Sequence, residues 1–291
     1  MMNLLLCGLN SYLGRAGLTY LPGEGYHVHG VVRDLDLLKR KMETPVDATL
    51  HSVDLIKKER SFYSFSVEGI ELSIYFAQIP NQRDELGVQY ELLSLRNFVF
   101  LSQRNGCNRI IYVGRTSDKN YLKAVESLFV ELGVVYTILL KDLAVGLGSS
   151  FDLFMKEALK NRYVYLYSRL GNMKFRPIIL SDVFSFIKKV NWKERFINQC
   201  LEFGGERVMT INDLIQWYIN KSGEISRSKV FLIPSKRISI WLNKLLYGID
   251  SEVYEDYLLG IMGGSVSDNS LWQQQVDFKP LPIKESFSFT L

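Results

Sequence analysis

Residues 3–14 read NLLLCGLNSYLG: an apolar run breaks into a turn that has Gly8 and Gly14 at its ends. A helical pattern follows as far as residue 21, and a second apolar run, 27–32, ends at Arg33. A strand, a glycine turn, a helix and a second strand in this order are typical of the unit that opens a dinucleotide-binding parallel sheet. The stretch therefore predicts NAD or NADP as a ligand.

The turn itself suits a diphosphate. Such a ligand needs backbone N–H groups at a helix N-terminus, and glycines let the chain turn tightly and approach it. Gly8 and Gly14 fill the first and last positions of a G-x-x-G-x-x-G pattern, and Ser11, which can donate to a phosphate, takes the middle. The alternative is a tight strand-to-helix turn that binds nothing. The predicted cofactor contacts of this segment are Gly8, Asn10, Ser11, Tyr12, Leu13 and Gly14.

The end of the second predicted strand bears on the choice between NAD and NADP. An acid at this position binds the ribose hydroxyls of NAD, whereas an arginine suits the 2′-phosphate of NADP. Arg33 stands there, and Asp34 follows at once, so the signal is mixed. We favour NADP over NAD on this basis; the alternative is an ordinary solvated Arg-Asp pair.

The rest of the first 140 residues alternates short apolar runs with longer amphipathic ones. This pattern predicts an α/β fold with a doubly wound parallel sheet, in which helices cover both faces. Gly106 and Gly133 follow two of the predicted helices, where C-caps are expected. The predicted strands are 3–7, 27–32, 48–52, 72–76, 109–113 and 134–140, and the predicted helices are 13–21, 35–42, 56–65, 83–105 and 119–132.

The pattern loosens after residue 148. We predict a dinucleotide-binding core over 1–148, and over 149–291 a mixed segment that completes the sheet and forms a small C-terminal α+β subdomain on the substrate side. Thr210 and Asp213 have the spacing of a helix-capping pair. The amphipathic stretch 238–259 carries Trp241, Tyr247, Tyr254 and Tyr257. We expect it to pack as a lid over the substrate side; a contact with a second copy or a membrane surface is the alternative.

Composition excludes several classes of protein. The net charge is +4 and no Lys/Arg tract occurs, so nucleic acid is not an expected partner. No apolar run reaches about 18 residues, so we predict no transmembrane helix, and the N-terminus does not read as a signal peptide. Cys7, Cys107 and Cys200 are far apart, which predicts reduced thiols in a cytoplasmic protein.

Metal binding is not indicated either. The chain's three histidines, His27, His29 and His51, lack the spacing of a metal motif, so we interpret them as structural. No metal site is predicted.

Several motifs along the chain resemble those of the short-chain dehydrogenase/reductase superfamily, above all its atypical, NmrA-like branch, which is often described as NAD-dependent epimerase/dehydratase-like. The resemblance covers most of residues 1–190 and, more faintly, 200–260. Several motifs in order carry it: the turn in 4–14, VVRD at 31–34, VDL at 53–55, YFAQ at 75–78, NRIIYVG at 108–114, KAVE at 123–126, GVVYTIL at 133–139, and RPI at 176–178 with DV at 182–183.

The resemblance implies a Rossmann-type doubly wound sheet and places further residues at the cofactor. By this likeness, Asp54 and Leu55 lie beside the adenine, and Ala77 and Gln78 lie near the nicotinamide ribose. With Arg33, Gly114 and Lys123 these complete the predicted cofactor contacts.

The catalytic residues expected from the resemblance are incomplete. Enzymes of this superfamily usually carry Tyr-x-x-x-Lys on one helix face, and the lysine lowers the pKa of the tyrosine so that it can move a proton. Lys123 matches the lysine, but Lys119 stands where the tyrosine belongs, and Tyr121 lies on a different face. Ser117, or its neighbour Thr116, is the expected serine partner. The predicted catalytic residues are therefore Lys123, Tyr121 and Ser117.

Two functions remain open from the sequence. The first is an NAD(P)-dependent oxidoreductase or nucleotide-sugar epimerase/dehydratase-like enzyme that acts on an unknown small molecule without the usual tyrosine. The second is a non-catalytic NAD(P)-sensing regulator or scaffold. A homodimer or another protein partner is compatible with either.

Overall fold

The computed structural model describes residues 2–42, 45–79, 85–159, 163–221, 229–247 and 265–283. Short strands separated by longer helices form a sheet with helices on both faces. The strands are β1 (Met2–Cys7), β2 (Tyr26–Val32), β3 (Ala48–Ser52), β4 (Ile70–Phe76), β5 (Arg109–Arg115), β6 (Val135–Lys141), β7 (Ala144–Val145), β8 (Tyr163–Tyr167), β9 (Lys174–Phe175), β10 (Ile178–Ile179), β11 (Gln199–Phe203), β12 (Met209–Thr210) and β13 (Lys229–Ile233).

The helices alternate with these strands. They are α1 (Tyr12–Gly23), α2 (Leu35–Arg40), α3 (Arg60–Ser64), α4 (Glu85–Arg104), α5 (Leu122–Glu131), α6 (Ser150–Leu159), α7 (Ser168–Gly171), α8 (Leu180–Val190), α9 (Ile211–Lys221) and α10 (Lys236–Tyr247). Thr116–Tyr121 and Glu194–Phe196 are 3-10 helices, and Ser270–Gln273 is a single turn.

The central sheet has seven parallel strands in the order β11-β6-β5-β4-β1-β2-β3. The order reverses between β1 and β4, and ligands of such sheets bind beyond the carboxyl ends of the strands at that point. One apolar core joins the sheet to α1 and α8, and another joins its opposite face to α3, α4 and α5. The predicted Rossmann-type doubly wound sheet is confirmed.

Two predicted helices begin elsewhere, each for a local reason. The helix expected over 56–65 starts only at Arg60, because the Asp54 carboxylate accepts hydrogen bonds from the N–H groups of Ile56 and Lys57, and Lys58 has φ +51°. The helix expected over 119–132 is preceded by a 3-10 helix that starts at Thr116, because the Asp118 carboxylate accepts from the N–H of Arg115.

Residues after 148 contribute both to the sheet and to a separate core. β11 pairs with β6 at the edge of the central sheet. A third apolar cluster joins α6, β8, α7 and α9. Thr210 and Asp213 exchange the predicted capping hydrogen bonds. The boundary between 148 and 149 stays a prediction.

Helix α10 turns polar side chains inward. Ser239 Oγ and Asn243 Nδ2 both donate to the backbone carbonyl of Tyr165 on β8, and both residues are buried. Trp241 and Leu245 are more than half exposed. Ile240 packs against the third apolar cluster. The lid over the substrate side stays a prediction, and residues 248–259, with Tyr254 and Tyr257, lie outside the described residues.

None of the helices in the described ranges is long and apolar enough to cross a membrane.

Candidate dinucleotide site

A cleft opens at the carboxyl ends of β1 to β4, where the strand order reverses. Its volume is about 300 Å³. One wall is the glycine turn, another is formed by the ends of β2 and β3, and a third is α4. The lining residues are Cys7, Gly8, Leu9, Asn10, Val31, Val32, Arg33, Val53, Asp54, Leu55, Ile56, Tyr75, Gln78, Gly87, Tyr90, Glu91 and Ser94.

The glycine turn is sterically constrained at both ends. Gly8 has φ +88°, and a Cβ there would collide with the carbonyl of Phe76. A Cβ on Gly14 would collide with the carbonyl of Gly8. The side-chain-free backbone therefore lets β1, the turn and α1 approach one another closely.

Ser11 caps α1. Its Oγ accepts a hydrogen bond from the N–H of Gly14 at 3.0 Å and donates to the carbonyl of Gly8 at 2.8 Å. Its hydroxyl thus holds the turn together, a role different from the phosphate donor that the sequence suggested. Within the described residues, the N–H groups of Tyr12 and Leu13 have no hydrogen-bond partner. Two free N–H groups at a helix N-terminus fit a diphosphate.

The ends of β2 and β3 form the adjoining wall. Arg33 is exposed at the rim of the cleft, whereas the Asp34 carboxylate caps α2 by accepting from the N–H of Leu37 at 2.8 Å. Asp54 is buried, with its carboxylate held by the turn that follows β3. Leu55 lines the cleft beside it.

The end of β4 meets α4. Ala77 donates its N–H to the carbonyl of Val113 on β5, which fixes the strand end. Gln78 donates its N–H to Glu91 Oε1 at 2.8 Å. The Tyr75 hydroxyl lies 3.5 Å from the Glu91 backbone carbonyl. Burial raises the pKa of the Glu91 carboxyl, although the hydrogen bond from Gln78 opposes the shift.

Sequence reasoning missed the contribution of α4. Gly87, Tyr90, Glu91 and Ser94 line the cleft and recur three or four residues apart on one helix face. This stripe of small and polar residues on a helix that is otherwise packed against the sheet is the signal that could have identified them.

The segment after β5 holds the predicted catalytic residues, and none of them lines the cleft. Ser117 is buried, and its Oγ has no hydrogen-bond partner in the described part of the chain. Tyr121 is half-buried, and Lys123 is exposed on α5. Gly114 lies within β5. The structure does not bring Ser117, Tyr121 and Lys123 together by any hydrogen bond among themselves within the described residues.

Lys119, at the position of the usual tyrosine, is engaged elsewhere. Its Nζ lies 2.6 Å from Glu202 Oε1 on β11 and 2.8 Å from Ser265 Oγ. Nearby, the Arg115 guanidinium pairs with the Asp118 carboxylate at 2.9 Å and donates to the carbonyl of Ile79 at 2.7 Å. Lys119 and Arg115 are thus both engaged in ionic and hydrogen-bonded pairs.

The three histidines cluster on β2 and β3. His29 Nδ1 lies 3.3 Å from His51 Nε2, and the His27 ring meets the His29 ring edge-on. Burial lowers the pKa of His29, with His27 and His51 adding to the shift, and burial also lowers the pKa of His51. Across the described ranges, no group of three or more His, Cys, Asp or Glu residues could hold a metal ion.

Comparison with known proteins agrees with this architecture. No protein-family model matches the chain, and no curated protein matches it by sequence. Solved structures do match. A nucleoside-diphosphate-sugar epimerase from Staphylococcus aureus is 16% identical, with a TM-score of 0.66 over 98% of this chain and 99% of that one.

Two further structures were solved with cofactors. UDP-glucuronic acid 4-epimerase from Bacillus cereus, in complex with UDP-glucuronic acid and NAD, is 12% identical, with a TM-score of 0.69 over 98% of this chain and 96% of that one. An NADPH-dependent quinone oxidoreductase from Escherichia coli, in complex with NADPH, is 16% identical, with a TM-score of 0.67 over 97% and 98%. At these identities the likeness establishes a shared fold over nearly the whole chain.

Proposed function

We propose that the chain binds NAD or NADP in the cleft at the carboxyl edge of its sheet, as an atypical member of the short-chain dehydrogenase/reductase superfamily. The observation that carries the proposal is the glycine turn. It leaves the N–H groups of Tyr12 and Leu13 unpaired among the described residues, at the start of α1 and next to the cleft. A diphosphate there would accept both hydrogen bonds and benefit from the positive end of the helix dipole.

Titration with NADH and NADPH, followed by cofactor fluorescence, tests the proposal. Asn10→Asp adds a negative charge to the cleft lining and should weaken binding about tenfold through repulsion of the diphosphate. Asn172→Asp makes the same change on an exposed residue after α7 and should leave the affinity unchanged. Absence of binding by any form of NAD(H) or NADP(H) at millimolar concentration would contradict the proposal.

The 2′-phosphate of NADP is the better partner for the β2 end. Arg33 is exposed at the rim, and the competing acid, Asp34, is occupied as the cap of α2. Arg33→Ala should weaken NADPH binding about tenfold and leave NADH binding within about twofold. Equal losses for the two cofactors would refute the preference for NADP.

The reaction class we propose is hydride transfer to or from a small carbonyl or sugar substrate. The nicotinamide supplies or accepts the hydride when it is bound. By the family resemblance, Lys123 would hold ribose hydroxyls, Tyr121 would supply a proton, and Ser117 would hold the substrate oxygen. Ser117 is buried and does not line the cleft, so its assigned role rests on the resemblance alone.

A second candidate is a non-catalytic NAD(P) sensor of the NmrA-like type. The ion pair between Lys119 and Glu202 favours it, because the position of the usual proton donor serves instead to join the 3-10 helix to β11. Incubation with NADPH deuterated at the nicotinamide C4, together with panels of quinones, aldehydes and nucleotide sugars, separates the two functions. Deuterium transfer into any product supports the enzyme. Tight binding without transfer, and a partner captured from cell extract only when cofactor is present, supports the sensor.

Two finer expectations also stay proposals. We assign substrate or partner recognition to residues 149–291. We also place the protein in a reducing compartment such as the cytoplasm. Free Cys7, Cys107 and Cys200 support this, since burial raises the pKa of each thiol and keeps it unreactive.

A further inference from the structure

Glu91 brings a carboxyl group into the cleft from α4. Its Oε1 accepts the N–H of Gln78 at 2.8 Å, so it lies at the end of β4. The same cleft is lined by Gly8 and Asn10 of the glycine turn. A diphosphate on that turn would therefore share a cleft of about 300 Å³ with this carboxyl.

The groups around Glu91 do little to neutralise it. Cys7 on β1 and Tyr112 on β5 are weakly acidic groups that interact with it, and the Asp118 carboxylate adds repulsion, whereas a hydrogen bond from Tyr75 on β4 lowers the pKa of Glu91. The positive charge of Arg115 lowers the pKa of Glu91, but its guanidinium already donates to the Asp118 carboxylate. Around the rest of the cleft, Asp54 is a second acid and Arg33 lies at the exposed rim.

We infer that Glu91 couples dinucleotide binding to the uptake of one proton: it binds the proton as the diphosphate enters and then donates a hydrogen bond to a cofactor oxygen. This inference rests on the proposed function of the cleft. An ionised carboxylate would repel a diphosphate in the same cleft, whereas a neutral carboxyl group can donate to it. The raised pKa of free Glu91 shows that its surroundings already disfavour the charge.

Proton uptake at Glu91 makes the cofactor affinity fall as the pH rises. The cofactor's negative charge raises the pKa of Glu91 further in the complex. Below the pKa of the free protein, Glu91 is neutral in both states and the affinity is highest. As the pH rises above that value, the affinity falls by up to about tenfold per pH unit, and it levels off above the pKa of the complex.

The experiment measures NAD and NADP affinity from about pH 5.5 to about pH 8.5, a range in which the diphosphate itself does not titrate. Glu91→Gln keeps the shape and the acceptor for Gln78 but cannot ionise, so it should bind about tenfold more tightly than wild type near pH 8.5, and this difference should shrink steadily as the pH falls. Glu71→Gln, on the exposed amino end of β4, removes the same charge and should follow the wild-type pH profile. The ratio of wild type to variant cancels titration of the 2′-phosphate of NADP.

Calorimetry of the wild type in two buffers of different ionisation enthalpy gives a second readout that does not depend on the variant folding. Between the pKa of Glu91 in the free protein and its pKa in the complex, the two measurements should show a net uptake of up to one proton per cofactor bound. Cofactor binding with no proton uptake, or a Glu91→Gln profile parallel to that of the wild type, would overturn the inference and leave the proposed function intact. Absence of binding at every pH would refute the proposed function itself.

Discussion

The ends of β1 to β4 and the segment after β5 lie on the same edge of one sheet, yet they differ in what shapes them. In the first region only glycine fits at positions 8 and 14, because a Cβ on Gly8 or Gly14 would collide with neighbouring backbone. In the second, Lys119 pairs with Glu202, and Arg115 pairs with Asp118. The first region, where we propose that the dinucleotide binds, is shaped by local backbone geometry, and the second is a network of charged side chains.

The difference separates binding from catalysis. A diphosphate is recognised by backbone N–H groups, which most substitutions leave in place. In the superfamily that the sequence resembles, proton transfer depends on one tyrosine, and Lys119 stands at the matching position of this chain. A fold can therefore retain the ligand while the reaction is altered or lost.

The largest effect is expected at the glycine turn. Gly8→Ala should lower the free energy of unfolding by about 3 kcal/mol or more and abolish dinucleotide binding, because φ is +88° and the new Cβ meets the Phe76 carbonyl. Gly23→Ala, in α1, meets nothing within 4 Å and should stay within about 1 kcal/mol of wild type. Urea denaturation followed by circular dichroism measures both. Similar stabilities would show that the turn is less constrained than its contacts indicate.

A smaller effect is expected in the network after β5. Lys119→Ala should cost about 1 kcal/mol, because the pair with Glu202 is partly buried and joins two elements. It should change NADPH affinity less than twofold. Lys57→Ala removes a more exposed pair with Glu59, 3.9 Å apart, and should cost close to nothing. A loss of affinity as large as that of Arg33→Ala would mean that the second region also holds the cofactor.

The smallest effect is expected on the stability of the protein at acid pH, with no change in cofactor binding. Burial lowers the pKa of His29 and His51, so the unfolded chain binds more protons than the folded one near pH 6. Their contribution to stability is complete above the ordinary histidine pKa of about 6.5 and is lost as the pH falls through it. Replacing both by Gln should flatten the fall in Tm between about pH 7.5 and about pH 5.5, by a few degrees.

His27→Gln is the control, since that side chain is exposed. It should flatten the curve less than the double variant. Cofactor affinity at neutral pH should not change in either variant; a change would show that the histidine cluster influences the cleft.

Much of the fold could be predicted because its signals are local. Strands buried on both faces, such as β1 and β6, read as continuous apolar runs. Gly106 and Gly133 end α4 and α5 with positive φ, as their positions predict. The start of α3 could not be predicted from the sequence. The residues before it have a helical pattern, but the Asp54 carboxylate forms a turn with them and Lys58 has a positive φ, and neither feature can be recognised from composition.

The sequence by itself predicted the glycine turn, the order of strands and helices along the chain, and a lysine at the position of the usual tyrosine, because each depends on residues close together in the chain. Only the tertiary structure decided that Glu91 enters the cleft and that Lys119 pairs with Glu202. It also decided that Asp34 caps α2 while Arg33 stays exposed at the cleft. The physical reason is that the energy of a charge depends on its burial and on its neighbours. For Glu91 and Lys119, those neighbours come from distant parts of the chain.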